Sequence, residues 1–172
     1  MRSPVMIGLI LLVVLLFLWG RYVQAPTHVS DKVYNLLLAT LLSHGVPEIS
    51  INELASGHFR VLDARSYREF DVSHIQDATW VGYDDFDVTR LAGIGKEDPV
   101  AVYCSVGYRS EHIAEKLRQQ GYTSVVNVYG GIFEWVNTRH PVVTGQATET
   151  DKVHAYSTFW GVWLKRGERV YR

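Results

Sequence analysis

Residues 99–121 read PVAVYCSVGYRSEHIAEKLRQQG, and the architecture follows from how this stretch divides. Pro99 to Tyr103 is an apolar run of strand length. Ser110 to Gln120 has a helical pattern, with Ile113, Ala114 and Leu117 on one side and Glu111, Glu115, Lys116 and Arg118 on the other. Gly121 follows as a natural C-cap. Between strand and helix lies Cys104-Ser105-Val106-Gly107-Tyr108-Arg109, which holds the single cysteine of the chain. Unpaired N–H groups at a helix start carry partial positive charge, so a thiol at this turn is expected to ionise more readily than a free one. Arg109 adds a planar fork of donors suited to a tetrahedral oxyanion such as a sulfonate or phosphate. Nucleophile and anion cradle therefore coincide.

Working outward, strands alternate with helices. Ser30 or Asp31 caps a helix with apolar Val33, Leu36, Leu37 and Leu41 beside Thr40, ending at His44-Gly45. Pro47 to Ile49 is extended. Ser50 and Glu53 have capping-box spacing for a helix over Ile51 to Ser56, closed by Gly57. Phe59 to Asp63 reads as a buried strand, Tyr67 to Phe70 as a turn of helix started by Ser66, Ala78 to Val81 as a strand, and Asp84 to Leu91 as helical. Thr123 to Val128 is a β-branched strand, Gly130-Gly131 a turn, Ile132 to Asn137 a short helix, and Pro141 to Val143 a last extended piece. This alternation implies an α/β fold with a mainly parallel sheet covered on both faces, where ligands bind beyond the carboxyl ends of the strands. Cys104 sits at such an end.

The ends of the chain differ in kind. Residues 1–25 carry Arg2, an apolar run from Val5 to Trp19, then Gly20 and Arg21, and read as a signal peptide or a signal anchor. Val23 and Ala25 form a candidate cleavage site, against which Pro26 and Trp19 argue. The domain is expected at the cell envelope, either membrane-anchored or periplasmic or secreted. Residues 26–46 form a linker and helix. Residues 144–172 interleave Tyr156, Phe159, Trp160, Trp163 and Tyr171 with Lys165, Arg166 and Arg169 and lose the helix-strand alternation. They are expected to pack over the domain, the alternatives being a membrane surface or a docked partner.

The 172 residues are 47% hydrophobic and 20% charged with a formal net charge of −1, and no basic block occurs, which argues against nucleic acid as a partner. A lone cysteine forms no internal disulfide and no Cys-rich zinc site. His44 and His58 lie near turns without a second ligand at metal spacing and are expected in solvent.

Three motifs in register resemble the rhodanese-like family, the sulfurtransferase homology domain. Leu62-Asp63-Ala64-Arg65 with Glu69-Phe70 and His74-Ile75 is similar to its first signature. Cys104 to Ser110 is similar to its Cys-x-x-Gly-x-Arg-Ser loop, and Gly130-Gly131-Ile132-Phe133-Glu134-Trp135 to its late Gly-Gly-x-x-x-Trp element. The resemblance spans about residues 47–143. Ser73 and Asp77 stand where the family usually carries glycine, so the backbone of that loop is expected to differ.

The resemblance implies a three-layer α/β fold and a persulfide reaction. Cys104 takes the outer sulfur of a donor such as thiosulfate and passes it to a thiol or cyanide, with no metal or organic cofactor. The partners are then a small-molecule sulfur donor and a thiol acceptor, and the membrane if the leader is uncleaved. Cys104 and Arg109 are the catalytic candidates, Arg109 either clamping the donor's charged end or fixing the loop. Ser105, Val106, Gly107, Tyr108 and Ser110 are substrate-binding candidates, with Gly107 expected at unusual φ/ψ and Ser110 expected to cap the helix or donate to the sulfur. Asp63, Arg65, Glu69 and His74 are supporting candidates, pairing with one another or anchoring loops.

Two competitors remain. A cysteine phosphatase or arsenate reductase also uses a cysteine-to-arginine anion loop, but with five intervening residues, whereas Ser105, Val106, Gly107 and Tyr108 make four. A non-catalytic sulfur- or anion-binding or sensing module of the envelope would use the same cradle without turnover.

Overall fold

The computed structural model describes residues 4–24 and 29–172. Helix α1 spans Pro4–Gln24, and its described side chains from Met6 to Phe17 are exposed. Among the described residues no helix is long and apolar enough to cross a membrane. The side chains of Trp19 and Val23, and residues Ala25 and Pro26, on which the cleavage reading turns, lie outside the described residues.

Helix α2 (Lys32–Leu41) is capped by Asp31, whose carboxylate accepts the N–H groups of Val33 and Tyr34. Its buried face is Tyr34, Asn35, Leu38 and Ala39, whereas Val33 is 65% exposed, so the expected apolar face is rotated. Tyr34 decides this: its hydroxyl donates to Gly130 O at 3.1 Å and its ring stacks on Trp163. The helix also stops at Leu41 rather than running to Gly45. A carboxylate from another element takes the next amides, with Ser43 N and Gly45 N both donating to Glu111. His44 adopts φ 57 and bonds Glu48, half-buried rather than in solvent.

Strand β1 (Glu48–Ile49), α3 (Ile51–Ser56) and β2 (Arg60–Asp63) follow, and α3 carries the full capping box of Ser50 and Glu53. A second capping box, Ser66 with Glu69, starts α4 (Tyr67–Val72). Each such cap contributes about 1 kcal/mol. Strand β3 (Thr79–Trp80) comes next. The expected helix over Asp84 to Leu91 is only a 3-10 turn, Val88–Leu91. Arg90 curls the preceding loop by donating to Val81 O and Asp85 O. Asp77, standing where glycine was anticipated, takes φ 61, the left-handed conformation glycine favours.

Strand β4 (Val100–Tyr103), helix α5 (Tyr108–Gln119), strand β5 (Val125–Val128) and helix α6 (Gly131–Asn137) complete the central unit. Helix α5 begins two residues before Ser110, because Gly107 rather than a side chain occupies the N-cap. The five-stranded sheet has order β1-β5-β4-β2-β3 and every pairing is parallel. Strand β4 is buried throughout, and its alternation feeds two cores. Ala101 and Tyr103 join Tyr34, Leu38, Ile132 and Phe133 on one face, while Val100 and Val102 join Leu62, Ile113 and Leu117 on the other.

Alternation does return in the tail. Strand β6 (Val142–Val143) pairs antiparallel with β7 (Glu149–Thr150), and β8 (Lys152–His154) pairs parallel with β9 (Glu168–Val170) across α7 (Thr158–Gly161). These elements are two to four residues long, too short for a periodic signal. Val153, Ala155 and Leu164 bury in the core with α2 and α6, so the tail packs over the domain.

Candidate active site

Register places the nucleophile. Asp63 lies beside Tyr103 in the β2–β4 ladder, and Cys104 is the first residue past the end of β4. The loop then turns into α5 through Gly107 at φ 116. A Cβ there would meet only ordinary contacts, the nearest at 3.5 Å, so it is backbone conformation rather than space that requires glycine. The turn aims Gly107 N–H at Cys104 Sγ, 3.2 Å away.

The loop is held from behind by the start of α6. Ile132 N donates to Cys104 O at 2.9 Å and Phe133 N to Ser105 O at 3.1 Å. In a trans peptide the N–H points opposite to the C=O, so these bonds turn the amides of Ser105 and Val106 away from α6. Gly131, at φ 55, allows the approach: a Cβ on it would run into the Cys104 carbonyl. The Gly130-Gly131 pair is therefore a docking point for the reactive loop as well as a turn.

Ser110 does something other than capping or sulfur binding. It is fully buried, with Oγ 3.1 Å from Gly107 O and 2.7 Å from Asn127 Oδ1, while Asn127 Nδ2 donates to Gly107 O at 3.1 Å. Asn127 thus fixes the Gly107 peptide from β5. A polar residue in the middle of Val125-Val126-Asn127-Val128 was its signal, since buried polar groups are held by partners.

Arg109 is engaged by Glu69. Nη1 donates to Oε2 at 2.8 Å and Nη2 to Oε1 at 2.7 Å, and Nη2 also reaches Ser105 Oγ at 3.0 Å. The guanidinium lies under the Tyr156 ring, 4.9 Å from its centroid. Of the two expected roles, this geometry is that of loop fixing. Burial pushes the Glu69 carboxyl up, but hydrogen bonds from Arg109 and the charges of Arg109 and Arg65 outweigh it and hold it down to about 2. Burial disfavours the Arg109 charge, and the bonds to Glu69 with the neighbouring Cys104 more than restore it. Glu69 also accepts from Ser105 Oγ at 3.1 Å, so one carboxylate caps α4 and braces the loop.

Asp63 and Arg65 stand behind this layer, both fully buried. Arg65 Nη2 donates to Asp63 Oδ2 at 2.7 Å and to Ser73 O at 2.6 Å, and Tyr103 Oη donates to Asp63 Oδ2 at 2.6 Å. The pair ties β2, β4 and the loop before β3 together and lies away from the cavity. His74 is also remote: its Nδ1 is 3.0 Å from Phe70 O, its ring stacks on Phe70, and its backbone exchanges two bonds with Val143.

Cys104, 1% exposed, lines a cavity of about 440 Å³ with Ser105, Val106, Tyr108, Arg109 and Glu69. Gly107 and Ser110 support the loop without lining it. The rest of the wall was missed in the sequence: Ser66 from the start of α4, Tyr83 and Asp84 from the loop after β3, Leu41 from α2, and Tyr156 and Trp160 from the tail. Tyr156 precedes α7 in the left-handed region, so no helical spacing in the sequence pairs it with Trp160. Tyr156 holds φ 62, and its N–H donates to His154 Nδ1 at 3.1 Å. That bond requires a neutral imidazole, and burial holds the His154 pKa below its ordinary value.

A family model described as rhodanese-like domain matches residues 47–138. Among curated relatives, the chain is 26% identical over 95 residues to the putative sulfur carrier protein YrkF of Bacillus subtilis (strain 168), covering 52% of this chain and 51% of that protein. It is 34% identical over 83 residues to a sulfurtransferase of Allochromatium vinosum, covering 48% of this chain and 77% of that one. The chain thus spans about half the length of the first of these relatives. Its fold is similar to the rhodanese-like domain of an Anabaena sp. protein, with TM-score 0.50 and 21% identity over 55% of this chain and 73% of that one.

Proposed function

Because the chain belongs to the rhodanese-like domain family, we propose that it is a sulfurtransferase carrying a sulfane sulfur on Cys104 from a donor such as thiosulfate to a thiol or cyanide. The observation that carries this reading is Cys104 Sγ at the end of β4, 3.2 Å from Gly107 N–H and opening on the cavity. The Cys104 thiolate attacks the donor's outer sulfur, the donor's S–S bond breaks, and the remainder leaves with the electron pair, as sulfite when the donor is thiosulfate. An acceptor thiolate or cyanide then attacks the outer sulfur of the persulfide, and Cys104 departs as thiolate. The Gly107 amide faces Cys104 Sγ and so favours its anionic form, both as the attacking thiolate and as the thiolate that departs in the second step. Arg109 and Glu69 keep the loop in place for both steps.

Intact-mass measurement after thiosulfate treatment tests the reading. One added sulfur that dithiothreitol removes and that maps to Cys104 is expected, with thiocyanate formed on addition of cyanide, and Cys104→Ser does neither. Absence of sulfur on Cys104 with any sulfane donor overturns it. Loading without turnover identifies a sulfur-binding or sensing module instead. The envelope location belongs to the same proposal and rests on the apolar run Val5 to Trp19. Cell fractionation that finds the protein wholly in the cytosol removes it.

A further inference from the structure

The cavity over Cys104 has an unusual balance of charge and surface for an inorganic anion. Among the described residues that line it, Arg109 is the one cation, and both its terminal nitrogens are held by Glu69. Asp84 adds a carboxylate at the wall. With Glu69 and Arg109 cancelling, the lining carries a net negative charge before the thiolate is counted. A dianion approaching that thiolate meets repulsion with no free donor fork to offset it.

Beside Ser66, Ser105 and Val106, the remaining wall is mostly aromatic. Tyr83, Tyr108, Tyr156 and Trp160 face the space with Leu41, and Tyr108 and Tyr156 remain 42% and 52% exposed. Large exposed rings around a cavity are surface waiting for an apolar group. The volume of about 440 Å³ falls in the range of sites for small organic ligands. Leu41, Tyr156 and Trp160 lie outside residues 47–138, so the flanking segments supply this surface to a loop that the family region supplies.

We propose that the site is built for an organic sulfane-sulfur donor, one with an apolar or aromatic group and no more than a single negative charge, and that Tyr156 and Trp160 select it. This rests on the sulfurtransferase reading above and narrows its donor. The step balances: the Cys104 thiolate forms a bond to the outer sulfur of R–SO2–S⁻, the donor's S–S bond breaks, and R–SO2⁻ leaves with the pair. An organic persulfide reacts in the same way and releases a thiolate.

Three probes separate charge from shape: thiosulfate, methanethiosulfonate and benzenethiosulfonate. Sulfur loading of Cys104 is followed by mass, and each kcat/KM is divided by that donor's uncatalysed rate with free glutathione. The expected order is benzenethiosulfonate above methanethiosulfonate by about tenfold or more, as a filled apolar pocket gives, with thiosulfate lowest. In Tyr156→Ser and Trp160→Ala the ratio of benzene to methane donor falls toward unity. Equal normalised values in the wild type, a preference for thiosulfate, or a ratio unmoved in both folded variants overturns the inference while sulfur transfer stands. Failure of all three donors to load Cys104 removes the sulfurtransferase reading itself.

Discussion

Arg109 grips both carboxylate oxygens of Glu69, at 2.8 and 2.7 Å, across forty positions of sequence. A cation in the first turn of α5 is thereby tied to the first turn of α4, and the reactive loop lies between them. Glu69→Ala leaves the Arg109 charge largely buried and uncompensated, at a cost of about 3–5 kcal/mol. Urea denaturation reads this as a lowered midpoint. Arg109→Lys is expected to lose sulfur transfer as well, since an ammonium does not reproduce the two parallel bonds.

Acid should weaken the fold in two stages. The Glu69 carboxyl is held down to about 2 in the folded chain against 4.5 ordinarily, so the unfolded chain binds its proton first. Its contribution is intact above about pH 4.5 and is lost as pH falls toward 2, on the order of 3 kcal/mol in all. His154, whose folded pKa is also lowered, adds a loss that begins as pH drops through 6.5. Urea midpoints taken from pH 7 downward check both, and Glu69→Gln should flatten the lower limb.

Gly107 and Gly131 should respond differently to alanine. At Gly107 the cost is the left-handed backbone alone, about 1–2 kcal/mol. At Gly131 the added methyl collides with the Cys104 carbonyl, so Gly131→Ala should displace the loop and abolish sulfur loading even where the protein remains folded. Intact mass after donor treatment, alongside near-UV circular dichroism, separates the two.

Tyr103→Phe removes the hydroxyl that donates to Asp63 and accepts from Ile75 N. The loss is about 1–3 kcal/mol, because a buried carboxylate and a buried amide each forfeit a partner. As neither group lines the cavity, thermal denaturation should move much further than the donor KM.

What the sequence conveyed depended on range. The capping box of Ser50 with Glu53 is local and forms as read, and Ser66 starts its helix as read, with Glu69 completing a second box that the sequence reading did not draw. The alternation of apolar runs with helical patterns is periodic over enough residues to fix a parallel sheet. The boundary of α2 was not legible, because Glu111, distant in sequence, captures the amides of Ser43 and Gly45. Glu111 itself read as a solvent-facing charge and is 1% exposed. Among site residues, Cys104 announced itself through its place in a turn and Asn127 as a polar residue within a β-branched strand, whereas Tyr156 and Trp160 gained meaning only when the tail brought them to the loop.

The aromatic wall also bears on where donor choice is set along the chain. In the proposed reading the reactive atom belongs to residues 47–138 and part of the donor selection to the segments flanking them, so mutation in those segments can retune diet without touching the reactive atom. A chimera that imports residues 47–138 alone into another member's framework should inherit the nucleophile but not Leu41, Tyr156 and Trp160, and so lose the share of the appetite that these three set.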